Sequence, residues 1–283
     1  MAILLDGKSL SAQIQSEIRN TVDLKFVDQP RPKLGVILVG ENPASMSYVK
    51  TKSRMAEKLG FIAEVVRFPV TVTREEILEQ IRIFNEDPVC DGAFIQFPLP
   101  KHLDPIELMS HVNPDKDSDG STAINFGRML MGAKGAFLPC TPRGIIRLLK
   151  HYGVTFEGKH AVVIGRSNIV GKPMATLLLQ EDCTVTICHR KTQNLETYVR
   201  MADILVVATG VPNLVKGSWI KEGAIVVDAG FTKDEEGKIW GDVEFEAASE
   251  RAAMITPVPG GVGPMTVITL MEQTLESALK RIQ

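Results

Sequence analysis

The sequence is poor in cysteine. Its four residues, Cys90, Cys140, Cys183 and Cys188, show no CxxC spacing and have no histidine cluster beside them. That argues against a zinc site and a disulfide framework, and a reducing cytosol is the expected compartment. Net charge is nearly absent, −2 over 283 residues, so there is no general pull toward nucleic acid or anionic membrane. No run approaches the roughly 20 apolar residues needed to span a bilayer. The opening "MAILLDGKSL" has only a short apolar stretch before Asp6, too short for a secretory signal. Internal repeats and low-complexity tracts are also missing. What is present is ordinary globular composition, 44% hydrophobic and 23% charged, in a chain long enough for one large domain or two ordinary ones.

Short apolar runs alternate with helical patterns. "KLGVILVG" (33–40), "FIAEVVRFPV" (61–70) and "DGAFIQFPLP" (91–100) read as strands. Between them, 45–60 reads as a helix ended by Gly60. The stretch from Thr73 opens with Thr73 and Glu76 in capping-box spacing and carries Ile77, Ile81 and Phe84 on one face. This βαβα order predicts an α/β fold with a parallel sheet. The pattern restarts after a helix opened by Pro142, with "KHAVVIG", a helix near 171–181, "TVTICH", a helix near 193–202, "DILVVATG" and "GAIVVDAG". The loop-like stretch 113–142 is the expected boundary. A last helix, with Ile268, Met271, Leu275, Leu279 and Ile282 at helical spacing, is expected to pack on the first domain.

"HAVVIGRSNIVGKP" (160–173) is a strand running into a glycine turn and a helix start. Free N–H groups and the helix dipole make such a corner an anion site. Gly165 and Gly171 have five residues between them and no middle glycine, a partial match to the dinucleotide fingerprint. On spacing alone the turn fits a nucleotide or a plain corner. The next strand ends in Arg190 and Lys191 where an NAD-binding unit carries a carboxylate, and Arg166 lies in the turn. Cations there favour NADP, through its 2′-phosphate; the alternative is solvated strand-end charge.

In the helix from Ser45 to Gly60, at ~100° per residue, Lys50, Arg54, Glu57 and Lys58 share one side. Val49, Met55, Ala56 and Leu59 share the other. Lys52 falls on the apolar side, with Tyr48 one turn away. Its stem either covers apolar surface while the head reaches water, or the amine lines a cleft and moves protons. Gln96 ends a predicted parallel strand, where α/β sheets bind ligands. "DKDSDG" (115–120) matches the first half of a calcium loop, but the closing glutamate position is Phe126 and Lys116 sits inside the run. A metal is therefore not expected. An aspartate here suits the N–H donors of a pterin-like ring, or caps a turn.

Six motifs in order now carry a resemblance: "SMSYVKTK" (45–52), "IQFPLP" (95–100), "DKDSDG" (115–120), "PCTP" (139–142), "GRSNIVGKP" (165–173) and "TPVPGGVGPMTV" (256–267). Over essentially its whole length the chain resembles the bifunctional methylenetetrahydrofolate dehydrogenase/methenyltetrahydrofolate cyclohydrolase (FolD-type) family. The resemblance implies a catalytic domain, 1–138 completed by 264–283, a Rossmann-like NADP-binding domain, 139–263, and a folate cleft between them. It implies Lys52 as catalytic lysine with Tyr48 beside it, Gln96 as its partner and Asp119 as the pterin-binding carboxylate. Ile95, Phe97 and the run Pro259, Gly260, Gly261, Val262, Gly263, Pro264, Met265, Thr266 and Val267 would contact folate. Gly165, Arg166, Ser167, Arg190 and Phe231 would hold NADP. A homodimer is likewise implied. The sequence departs from the family at Ser118 (often valine), Phe97 (often leucine) and Arg190 (often serine). A dehydrogenase with little cyclohydrolase activity and a non-catalytic NADP sensor are the rivals. Keeping Lys52, Gln96 and Asp119 weighs against both.

Overall fold

Each apolar run of strand length becomes a parallel strand, and each amphipathic stretch becomes the helix that covers it. The computed structural model of the chain describes residues 2–283. In chain order the elements are β1 (Ile3–Leu4), α1 (Gly7–Lys25), β2 (Lys33–Val39), α2 (Pro43–Lys58), β3 (Ile62–Phe68), α3 (Arg74–Glu86), β4 (Cys90–Gln96), α4 (Pro105–Ser110) and α5 (Ala123–Leu130). There follow α6 (Cys140–His151), β5 (His160–Ile164), α7 (Gly171–Gln180), β6 (Thr184–Cys188), α8 (Leu195–Met201), β7 (Ile204–Val207) and β8 (Ile225–Asp228). The chain ends with β9 (Thr232–Lys233), β10 (Ile239–Trp240), α9 (Phe245–Arg251), β11 (Met254–Ile255) and α10 (Val262–Arg281). The chain forms two units. One joins Gln13–Cys140 with Val267–Gln283; the other joins the chain up to Ala12 with Thr141–Thr266.

The first unit holds a three-stranded parallel sheet in the order β3-β2-β4. From Leu34 onward β2 is fully buried, as expected for a strand covered on both faces. Helix α3 starts with a complete capping box, Thr73 Oγ1 accepting from the Glu76 N–H while the Glu76 carboxylate accepts from the Thr73 N–H. Ile77, Ile81 and Phe84 then bury against Ile37, Val39, Ala93 and Ile95, each large side chain contributing about 2 kcal/mol. Helix α2 starts two residues before the expected Ser45. Asn42 accepts from the N–H groups of Ala44 and Ser45, and Pro43 takes the first helical position. The stretch 113–142, expected as a loop, contains α5, capped by Thr122 and burying Asn125 and Met129. Its eight residues are too few for periodicity to stand out from the polar run before them.

The second unit holds a six-stranded parallel sheet, β1-β11-β8-β7-β5-β6. Val162, Ile164, Leu205, Val207 and Val226 belong to one core cluster of this sheet. Strand β5 lies between β6 and β7, so the chain leaves it to one side and returns on the other. That is a topological switch point, the place where open α/β sheets bind ligands. Residues 2–12 join this unit, whereas the boundaries expected from sequence place them in the first domain. Strand β1 pairs with β11 through Ile3 N–H to Ala253 O and Leu5 N–H to Ile255 O, both 2.9 Å. A two-residue strand is below what alternation can signal. From Val267 onward α10 belongs to the first unit. Among the described residues no helix is long and apolar enough to cross a membrane.

Candidate active site

Lys52 lies on the buried stripe of α2, with Ser45, Val49 and Ala56. Lys50, Arg54, Glu57 and Lys58 are exposed. Only 8% of Lys52 is accessible, which favours the reading of an amine held in the protein over one extended into solvent. Its Nζ donates to Gln96 Oε1 at 3.4 Å. The orientation of the Gln96 amide is fixed, because Nε2 donates to the Phe97 carbonyl at 2.8 Å and leaves the oxygen facing the lysine. Ser45 Oγ donates to the same carbonyl at 3.3 Å. The Lys52 nitrogen also sits 4.0 Å from the centre of the Phe94 ring, a contact the sequence reading missed. Tyr48, one turn before Lys52, is 43% exposed. Burial raises its pKa, which keeps the phenol protonated as a donor. The Ile95 side chain takes the opposite face of β4 and is buried in the α3 core, with Phe97 packed at its margin.

The three aspartates of 115–119 have separate duties. Asp115 is exposed and pairs with Arg128. Asp117 is fully buried and accepts from Ser121 N–H, Thr122 N–H and Asn125 Nδ2 at 2.9–3.0 Å. Burial pushes its carboxyl up to about 6. Asp119 is half-buried, and among the described residues no donor reaches its carboxylate. It is the member of the run whose carboxylate could accept from a ligand.

In the second unit, Gly165 has φ +130°, and a Cβ there would lie 2.3 Å from the Ala208 carbonyl oxygen. A Cβ on Gly171 would lie 2.3 Å from the Gly165 oxygen. The two glycines thus let β5, the loop after β7 and the start of α7 approach closely. Ser167 Oγ accepts from the N–H groups of Val170 and Gly171 at 3.1 and 3.4 Å, tying the turn to the start of α7. Arg166, Arg190 and Lys191 are exposed. Among the described residues none of these cations has a carboxylate partner. A glycine turn with uncommitted cations at its edge fits a phosphorylated dinucleotide.

Two buried carboxylates that sequence reasoning missed build the adjoining loops. Asp242 Oδ2 accepts from Thr209 N–H (2.6 Å), Thr209 Oγ1 (2.9 Å) and Gly210 N–H (2.9 Å), just after β7. Asp228 accepts from the N–H groups of Gly230, Asp242 and Val243, next to Phe231, which is 50% exposed. Burial pushes Asp228 up to about 6, with the Asp242 charge adding to it. Of the run Pro259–Val267, residues 259–261 are loop. Helix α10 starts at Val262, with Pro264 in its first turn, where a missing N–H costs nothing. Val262, Met265 and Val267 are buried, Pro259 and Gly263 are exposed, and Gly260, Pro264 and Thr266 lie between, while Gly261 is buried. Thr266 Oγ1 meets Thr141 Oγ1 at 2.9 Å.

A glycine turn with exposed cations at the switch point of one unit's parallel sheet, and in the other unit a lysine buried against a glutamine, define a nucleotide-dependent α/β enzyme. The catalytic-domain model of the tetrahydrofolate dehydrogenase/cyclohydrolase family matches residues 5–119, and the family's NAD(P)-binding-domain model matches 139–282. The chain is 49% identical to the bifunctional protein FolD of Streptococcus pneumoniae serotype 4, covering 100% of this chain and 99% of the relative. It matches the structure of the bifunctional FolD enzyme of Campylobacter jejuni with a TM-score of 0.97 at 46% identity, covering 99% and 100% of the two chains. It matches the Trypanosoma brucei FolD, solved with NADP and an inhibitor, with a TM-score of 0.95 at 38% identity, covering 100% and 99%. The chain belongs to the tetrahydrofolate dehydrogenase/cyclohydrolase family.

Proposed function

We infer that the chain oxidises 5,10-methylenetetrahydrofolate to 5,10-methenyltetrahydrofolate with NADP⁺ and then hydrolyses that product to 10-formyltetrahydrofolate. The observation that carries the site assignment is the buried Lys52 amine donating to Gln96. In the first reaction a C–H bond of the bridging carbon breaks and the hydride leaves. The cation that remains is shared by two folate nitrogens, so placement is the protein's main task. NADP⁺, when bound, supplies the hydride acceptor. Gly165, Arg166 and Ser167 would hold its phosphates, Arg190 would meet the 2′-phosphate, and Phe231 would cover the nicotinamide end.

In the second reaction a water oxygen bonds to the bridging carbon and gives up both its protons as the C=O bond forms, one passing to the folate nitrogen whose bond to that carbon breaks and the other to solvent. Lys52, held by Gln96, moves these protons. Tyr48 packs beside the folate, Asp119 accepts from pterin N–H groups, and residues 95–97 and 259–267 line the substrate. The catalytic domain in this reading is 1–138 with 264–283, and 139–263 binds the nucleotide. The working form is a cytoplasmic homodimer, which light scattering tests.

The deciding experiment follows the absorbance of the methenyl product from methylenetetrahydrofolate with NADP⁺ and with NAD⁺. Methenyl product should appear faster with NADP⁺ and then decay. Lys52→Met should keep its formation and stop its enzymatic decay. Hydrolysis by this variant at the wild-type rate would remove the lysine from the mechanism.

A further inference from the structure

We propose that Phe94 is a positioning residue for the hydrolytic step, its ring face holding the Lys52 amino group beside Gln96. Phe94 precedes Gln96 by two residues on β4, so both side chains leave the strand on one face. Ala93 and Ile95, on the other face, pack with Ile77 and Ile81. The Lys52 nitrogen lies 4.0 Å from the ring centre and 3.4 Å from the Gln96 oxygen. The ring is 1% exposed, so water does not compete for its face, and the cation–π attraction is strongest where water is excluded.

The choice of neighbours matters chemically. Among the described residues no carboxylate lies within ion-pair distance of Lys52. A carboxylate would localise the amine, but it would also hold the amine's proton and could accept it. An aromatic face and an amide oxygen attract the nitrogen's hydrogens without serving as bases. They place the amine and leave its proton to the reacting folate and water. An ammonium has three N–H donors. The ring and the amide take two directions, and the third remains for the reaction.

This inference rests on the role assigned to Lys52, and one experiment separates the two. In the full chain, Phe94 is replaced in turn by 4-fluoro-, 3,5-difluoro- and 3,4,5-trifluorophenylalanine. Fluorine withdraws electron density from the ring face and leaves its volume nearly unchanged. The saturated rate of methenyl hydrolysis should fall stepwise, about tenfold by the trifluoro ring. KM for the methenyl substrate and the dehydrogenase rate should stay within about twofold. A purely structural role would not follow ring electronics. A flat series, beside a Lys52→Met variant that does not hydrolyse, overturns the role of Phe94 alone. An equal fall in both activities also overturns it. Full hydrolysis by Lys52→Met overturns the reading of Lys52 itself.

Discussion

Ile164 and Cys188 are partners in the last register of β5 and β6, so the residues that follow each strand leave the sheet at one edge. Gly165–Ser167 come directly after Ile164, and Arg190 comes two residues after Cys188. The turn proposed to hold the diphosphate and the cation proposed to meet the 2′-phosphate therefore follow paired strand ends, although more than twenty residues separate them in the chain.

Arg190→Ser tests that relationship. A charge-assisted hydrogen bond to phosphate contributes about 1.5–3 kcal/mol, so the variant should bind NADP⁺ roughly 10–100-fold more weakly. NAD⁺ binding should change by about twofold or less, since the bare ribose offers no phosphate. Fluorescence titration with both nucleotides checks this. Equal losses would place Arg190 away from the 2′-phosphate.

Asp117 and Asp119 are two residues apart and should respond in opposite ways to alanine. Among the described residues Asp119 has no hydrogen-bond or ion-pair partner, so Asp119→Ala should leave stability within about 0.5 kcal/mol. It should raise KM for methylenetetrahydrofolate roughly 10–100-fold and leave KM for NADP⁺ unchanged. Asp117→Ala strands three donors and should lower stability by about 2–4 kcal/mol. Chemical denaturation and steady-state kinetics on both variants separate the roles. An unchanged folate KM in Asp119→Ala would end the pterin assignment.

Much of this site was legible because local rules agreed with the fold. Thr73 and Glu76 announced α3, and a lysine on the apolar side of α2 announced the buried amine. The cations after β6 stood where a carboxylate would mark NAD. Helix α1 also had a readable signal, Leu10, Ile14, Ile18 and Val22, all buried at four-residue spacing. The missed features depend on partners distant in sequence. Strand β1 exists only through β11. Phe94 matters through a helix some forty residues earlier. Asp242 sits in an ordinary "GDVE" run and shows its role only once the loop after β7 donates to it. In "DKDSDG" the spacing is visible, but which carboxylate turns inward is decided by Ser121, Thr122 and Asn125, which come later.

Asp228 provides a pH-dependent test of the loop architecture. Its two oxygens accept three N–H groups at 2.8–3.0 Å. Asparagine keeps one acceptor and turns an NH₂ toward a backbone N–H, which should cost about 1–3 kcal/mol. Burial has also pushed this carboxyl from its ordinary 3.8 up to about 6. The folded chain therefore keeps the proton to higher pH than the unfolded chain does. For a raised acid the sign is fixed. Its contribution to stability is highest below about pH 4, falls as pH rises toward 6, and is level above, by at most ~3 kcal/mol. Asparagine does not titrate, so the stability gap between wild type and Asp228→Asn should narrow as pH climbs from roughly 4 to 7. Urea denaturation across that range measures it. A gap that widened with pH would mean that the three N–H donors outweigh burial and hold the carboxylate ionised. Because these donors frame Phe231 and the loop carrying Thr209, the same variant should weaken NADP⁺ binding even where it remains folded.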